Sequence, residues 1–228
     1  MEETGVSKEA IILAGGDAWR LKPHTFTPKP MLKIGQFTLL EHQISWLMRH
    51  GFRHVVIASR EVYPIVYNES HGVEYSIEME KLGTGGAIKH AMNKIHGNKV
   101  YVMNVDDVIK YDPNILWLSC KRGAAVVVAK PRIGLGVVKL RQDLVIDFRE
   151  KPTLDMYVNA GHYCFTRYVI KTYFPNKGDF EGTVLPRLAR ERRLTAIRLK
   201  GIWRTINTYK DYQMVLREAD KLFYNMRK

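Results

Sequence analysis

Two glycines, two cations and an aspartate carry the chemistry that can be read from this chain. Gly15 and Gly16 end the apolar run Ala10-Ile11-Ile12-Leu13-Ala14, and Arg20 and Lys29 follow within fifteen residues. An apolar run breaking into glycines reads as a buried strand ending in a tight turn. Such a turn lets backbone N–H groups approach a phosphate, with the two cations beside it. The pattern is neither a Walker A loop, since no Gly-Lys-Ser/Thr follows, nor the Gly-x-Gly-x-x-Gly of dinucleotide folds. A second apolar run, Lys99–Met103, ends in Asn104-Val105-Asp106-Asp107. An aspartate at a strand tip suits Mg²⁺, which takes one or two protein carboxylates and fills its shell with phosphate oxygens and water. Asp107 is a second candidate, although neighbours on an extended chain point opposite ways. Glu150 and Asn159 can accept from sugar hydroxyls, and Lys151 can neutralise a phosphate.

These residues need a frame. Leu40, Ile44, Leu47 and Met48 recur at helical spacing over Leu39–His50, with Gly51 as the C-cap. His54–Ala58 and Val73–Ile77 read as strands, and Gly83-Thr84-Gly85-Gly86 reads as a loop before a helix from about Ala87 to Ile95. Strands alternating with helices, each ending in a polar turn, predict an α/β fold: Rossmann-like, three layers α/β/α, around a mostly parallel, mixed sheet. Ligands in such sheets sit outside the carboxyl ends of the strands. Gly123–Lys130, Gly136–Leu140, Leu144–Phe148 and Gly161–Phe165 are β-rich with turns between them, which predicts antiparallel or mixed pairing. Helices return over Val184–Glu191 and from Tyr209 to about Met226.

Bulk properties narrow the class. The 228 residues suit one domain, and 46% hydrophobic with 11% aromatic content argues against disorder. No apolar run reaches the roughly 18–20 residues of a membrane span, and the acidic start Met1-Glu2-Glu3 is not a leader; the expectation is a cytoplasmic protein without membrane contact. Cys120 and Cys164 lack metal or disulfide spacing and read as buried free thiols. The formal charge is +13, and residues 187–228 hold twelve Lys/Arg against four acids, or +8. That excess suits a solvated helical face or a polyanionic partner.

In this order the segments resemble the sugar-1-phosphate nucleotidyltransferases, the NDP-sugar pyrophosphorylases. Leu13-Ala14-Gly15-Gly16-Asp17-Ala18-Trp19-Arg20-Leu21 and Pro28-Lys29-Pro30-Met31-Leu32 follow the family opening. Leu82-Gly83-Thr84-Gly85-Gly86-Ala87, Asn104-Val105-Asp106, Gly136-Val137-Val138, Glu150-Lys151-Pro152 and Asn159-Ala160-Gly161 follow in register. The resemblance implies that Leu13, Ala14, Gly15, Gly16, Gly83, Thr84 and Gly85 bind nucleotide. Arg20 would balance the leaving pyrophosphate, Lys29 would sit near the α-phosphate and Asp106 would hold Mg²⁺. Gly136, Glu150, Lys151 and Asn159 would bind the sugar phosphate. It implies one domain over 1–228, with a nucleotide half at about 9–107, a sugar-phosphate half at about 108–212 and a basic helix over 213–228. The implied partners are an NTP and a sugar 1-phosphate, whose phosphate oxygen attacks the α-phosphorus as pyrophosphate leaves.

The chain departs from the family in places. Where the family reads Trp-x-Asp-(Ile/Val)-Gly-Thr, with the aspartate as second metal ligand, this chain has Trp203-Arg204-Thr205-Ile206-Asn207-Thr208. Loss of that anion predicts weaker Mg²⁺ binding, and Arg204 adds positive charge. Ala18 replaces a loop glycine and needs a negative φ, Trp19 is expected to crowd the phosphate turn, Val105 replaces the glycine before Asp106 and Lys81 stands for a proline. Three readings stay open: a working enzyme with Asp106 and triphosphate oxygens holding the metal, a regulatory homologue that binds nucleotide or sugar phosphate, and a nucleic-acid binder. Pairing with an active homologue belongs to the second, and the resemblance allows a homo-oligomer under any of them.

Overall fold

Alternating apolar side chains build a sheet with two buried faces. The computed structural model describes residues 7–224. Its first half contains β1 (Lys8–Leu13), β2 (Lys33–Ile34), β3 (Phe37–Thr38), α1 (Leu39–Arg49), β4 (Phe52–Ser59), β5 (Val73–Ile77), α2 (Gly83–Ala91), β6 (Lys99–Asn104) and β7 (Asp107–Ile109). Its second half contains α3 (Pro113–Ser119), β8 (Ala124–Ala129), β9 (Val137–Arg141), β10 (Leu144–Arg149), β11 (Val158–Thr166), α4 (Arg167–Tyr173), α5 (Val184–Arg190), β12 (Leu194–Arg198), β13 (Trp203–Thr205) and α6 (Tyr209–Arg217).

The main sheet has the order β12-β8-β11-β6-β1-β4-β5. All its pairs are parallel except those of β11, which runs antiparallel to both β6 and β8. The expected mixed, mostly parallel sheet is therefore present. Ile12, Ile57, Tyr101, Met103 and Cys164 face one layer, where Leu40, Ile44 and Leu47 of α1, Leu116 of α3 and Val215 of α6 cover them. Ile11, Val56, Val102, Tyr163 and Phe165 face the other, under α2, α4 and α5. Both cysteines are free and buried. Among the described residues no helix is long and apolar enough to cross a membrane.

Three boundaries differ from the sequence expectation for identifiable reasons. The Gly83–Gly86 segment is the first turn of α2, not a loop. Gly178 lends its carbonyl to the Gly85 and Gly86 N–H groups at 2.9 and 3.2 Å, and Asp179 Oδ1 accepts from the Thr84 N–H at 3.0 Å. These partners replace the stabilisation a glycine-rich turn lacks on its own. The helix expected from Tyr209 to about Met226 ends at Arg217 and continues as a wide turn over Asp220–Tyr224. That turn drops the Phe223 ring 4.2 Å from the His42 ring. Residues 225–228 of the expected basic helix lie outside the described residues. Finally, β11 extends from Val158 to Thr166, beginning three residues earlier than Gly161.

A buried polar chain runs beneath the carboxyl edge of the sheet. The Tyr101 hydroxyl meets the Tyr111 hydroxyl at 2.7 Å and His162 Nδ1 at 2.7 Å, and His162 Nε2 reaches the Asp107 carbonyl at 2.9 Å. Burial pushes the His162 imidazole down from its ordinary 6.5 to about 4. The unfolded chain takes up this proton below pH 6.5, whereas the folded chain refuses it until about pH 4. The His162 contribution to stability is therefore full above pH 6.5 and declines as pH falls across that window, by roughly 3 kcal/mol in total. Urea melts at pH 7 and 4.5 of the wild type and of a His162→Gln variant should isolate it: on going to pH 4.5 the wild type should lose more stability, or gain less, than the variant.

Candidate active site

The parallel strands converge on one cavity. Its volume is about 250 Å³, and its lining includes Leu13 to Asp17 after β1, Lys29, Arg60 after β4, Glu78 after β5, Gly83 and Thr84 of α2, and Asn104 to Asp106 after β6. Eight residues proposed from the sequence meet there: Leu13, Ala14, Gly15, Gly16, Lys29, Gly83, Thr84 and Asp106.

The two loop glycines are not explained by the protein around them. Neither has a left-handed φ; a Cβ on Gly15 would find its nearest neighbour at an ordinary 3.5 Å, and one on Gly16 would meet nothing within 4 Å. Among the described residues no acceptor takes their N–H groups. The fold tolerates side chains at both positions, so the need for small residues comes from the cavity in front of them. Gly85 differs. A Cβ there would lie 2.8 Å from the Gly178 carbonyl, which makes it a packing glycine outside the cavity lining.

Lys29 and Asp106 form the charged centre. Lys29 stands in a short 3₁₀ turn, and its Nζ lies 2.5 Å from Asp106 Oδ2 and 3.5 Å from Asn207 Oδ1. Asp106, in the turn between β6 and β7, presents its carboxylate to the cavity, while Asp107, the first residue of β7, is buried. Asp107 accepts from Asn104 Nδ2 and Trp203 Nε1, each at 3.0 Å, and faces Thr205 across the β7–β13 ladder. Burial, reinforced by the Asp106 charge, pushes the Asp107 carboxyl up to about 7. Asp107 is therefore a buried structural group and not the second metal ligand considered from the sequence.

Three expected disturbances are absent. Ala18 has φ −81°, so the lost loop glycine costs no backbone strain. Trp19 is 68% exposed, with the Lys22 ammonium 4.2 Å from its ring centroid, so the indole leaves the phosphate turn clear. Arg204 adds no free positive charge to the site, because Glu218 binds it through two contacts of 2.7 and 3.0 Å.

The remaining proposed residues lie elsewhere. Arg20 is exposed beside the turn and outside the cavity lining. Gly136, Glu150 and Lys151 belong to the arm between β8 and β11, which carries the β9–β10 hairpin. Glu150 Oε2 would be 3.2 Å from a Gly136 Cβ, and Lys151 Nζ pairs with Glu150 Oε1 at 3.3 Å. The two side chains are more than half exposed. Asn159 is exposed and bonds within its own strand: its Oδ1 accepts from the Gly161 N–H at 3.0 Å and its Nδ2 donates to the Tyr163 hydroxyl at 2.5 Å.

Six charged lining residues were not proposed from the sequence as site residues: Asp17, Arg60, Glu78, Lys81, Asp179 and Glu181. Glu78 follows β5 directly and holds the Leu82 N–H at 3.2 Å, a strand-end acid that could have been noticed. Asp17 clasps Arg60 and lies 3.0 Å from Lys81 Nζ; these two cations hold its carboxyl below the usual range, Lys81 foremost. With Asp17 present, its two partners are partly neutralised toward a polyanion. Asp17→Ala should tighten triphosphate binding by about threefold to fivefold at low salt, and less at high salt, read by calorimetry.

A mixed sheet of this order, with an anion-directed cavity at its carboxyl edge, places the chain among nucleotide-binding α/β proteins. Residues 9–221 match the Nucleotidyl transferase family model, and the chain belongs to that family. It is similar to the mannose-1-phosphate guanylyltransferase catalytic subunit beta of Danio rerio, 29% identical over 90% of this chain and 62% of that protein. It is likewise similar to a mannose-1-phosphate guanyltransferase of Neurospora crassa, 32% identical over 90% of this chain and 62% of that protein. The chain thus spans about three fifths of these relatives' length. Among solved structures, HddC from Yersinia pseudotuberculosis superposes with a TM-score of 0.71 at 25% identity, covering 93% of this chain and 99% of that one.

Proposed function

We propose that the protein transfers a guanylyl group from GTP to a hexose 1-phosphate of the mannose type, releasing pyrophosphate. The observation that carries this reading is the meeting of the unencumbered Gly15-Gly16 turn, Lys29 and Asp106 around one cavity. The names of the similar guanylyltransferases supply the base and the sugar class.

The donors present fit Mg²⁺ of a particular kind. Among the described residues no group of three His, Cys, Asp or Glu could cage a metal. Asp106 supplies one carboxylate at the cavity wall, which suits a cation brought in on a triphosphate. When bound, Mg²⁺ would neutralise charge on the α-phosphate and the leaving oxygen. The protein's own part is positional. The Gly15-Gly16 turn offers N–H donors to phosphate, and Lys29 lets an anionic nucleophile approach an anionic target. Glu150 and Lys151 sit on the arm that faces the same edge and would meet the sugar phosphate there.

Thr205 favours a second reading, a binding homologue without turnover. Purified protein, Mg²⁺, mannose 1-phosphate and each of four NTPs should release pyrophosphate with GTP. Saturable GTP binding without release from any sugar 1-phosphate would instead establish the second reading.

A further inference from the structure

We infer that Asn207, positioned by Thr205, supplies the second protein oxygen for the divalent cation at Asp106, in place of an acidic ligand; this rests on the nucleotidyl-transfer reading above. The argument begins with Asp107. Thr205 lies directly across from it in the β7–β13 ladder, and the Thr205 hydroxyl oxygen has a lone pair with which to accept. Asn207 Nδ2 donates to that oxygen at 3.1 Å. The amide is thereby oriented: its nitrogen faces Thr205 and its Oδ1 faces the Lys29 ammonium.

A cation already marks where these oxygens converge. The Lys29 ammonium stands 2.5 Å from Asp106 Oδ2 and 3.5 Å from Asn207 Oδ1, between a carboxylate and a carboxamide. Both carriers are anchored. The Ile206 N–H donates to the Asp106 carbonyl at 3.0 Å, which ties the two segments together. On the other side the Asn207 N–H reaches Asp211 Oδ2 at 3.2 Å, and Thr208 with Asp211 forms the cap of α6. A carboxamide oxygen is an ordinary hard-cation donor, but it is neutral. The two oxygens carry one negative charge between them, which the Lys29 ammonium offsets, so the site binds free cation weakly and depends on the phosphates of the nucleotide for the rest.

Mn²⁺ titration of the protein alone, followed by the electron paramagnetic resonance signal of free Mn²⁺, tests this without turnover. Asn207→Asp should tighten Mn²⁺ by about tenfold through the added charge. Asn207→Ala should weaken it about fivefold, and Thr205→Val should weaken it less, by releasing the amide. Asn207→Gly serves as the second variant should alanine disturb the start of α6, with thermal melts as the folding control. Unchanged Mn²⁺ affinity in the Asn207 variants, with binding lost in Asp106→Asn, would overturn the assignment and leave the proposed reaction intact. Expected Mn²⁺ shifts without pyrophosphate release in the wild type would reject the reaction and keep the assignment.

Discussion

Asp106→Asn should reduce nucleotidyl transfer by about a thousandfold or more, with kcat falling and the fold preserved. The substitution keeps shape and volume but removes the only carboxylate that the strand tip offers to the cavity. A metal that shields phosphate charge contributes several kcal/mol to the transition state, and a thousandfold corresponds to about 4 kcal/mol. The fold should barely notice. The Asp106 side chain is 20% exposed and its partner Lys29 is held by a local turn, so the lost ion pair should cost about 1 kcal/mol or less. Pyrophosphate release measured at saturating substrates, beside a thermal melt, separates the two effects. Turnover within tenfold of wild type would place the metal elsewhere.

Gly161→Ala should produce the opposite pattern, a large loss of stability. Gly161 has φ +75°, and a Cβ there would lie 1.8 Å from Asp107 Oδ2 and 2.9 Å from Asn104 Nδ2. An alanine in that conformation costs roughly 1 kcal/mol by itself. Displacing the Asp107 carboxyl from Asn104 and Trp203 leaves buried polar atoms unpaired, for about 2 kcal/mol more. A total near 3 kcal/mol corresponds to a fall in Tm of about 6 to 12 °C for a chain of this size. Gly16→Ala is the matched control. Its Cβ meets nothing within 4 Å, so Tm should hold while nucleotide binding weakens. A drop in Tm at Gly16 would mean that the turn is packed against the protein after all.

The contrast between these two glycines also shows what the sequence can and cannot disclose. Gly15-Gly16 sits immediately after an uninterrupted apolar strand, so the turn, the strand and the carboxyl-edge location could all be read locally. The same holds for Asp106, at the tip of β6. Asp179 and Glu181 could not be found this way. They reach the cavity because the segment after α4 caps the start of α2, and the hydrogen bond from Thr84 Oγ1 to Glu181 Oε2 spans ninety-seven residues. Side-chain direction was equally hidden. Trp19 and Arg204 look obstructive in one dimension, yet one indole lies against Lys22 and the guanidinium lies on Glu218. β12 escaped notice because Leu194–Arg198 is a short run bounded by arginines, and only pairing with the fully apolar β8 makes it a strand.

The reversed strand β11 has one further consequence. β8 runs with the parallel set and ends at the carboxyl edge with Ala129, while the antiparallel β11 starts at that same edge with Val158. Residues 130–157 therefore leave and re-enter the sheet at neighbouring points on its rim. An excursion moored at both ends of one rim can lengthen, shorten or change its composition without shifting the register of any strand, because closing a longer loop costs little. The arm can thus diversify separately from the Gly15-Gly16 turn, on one unaltered sheet.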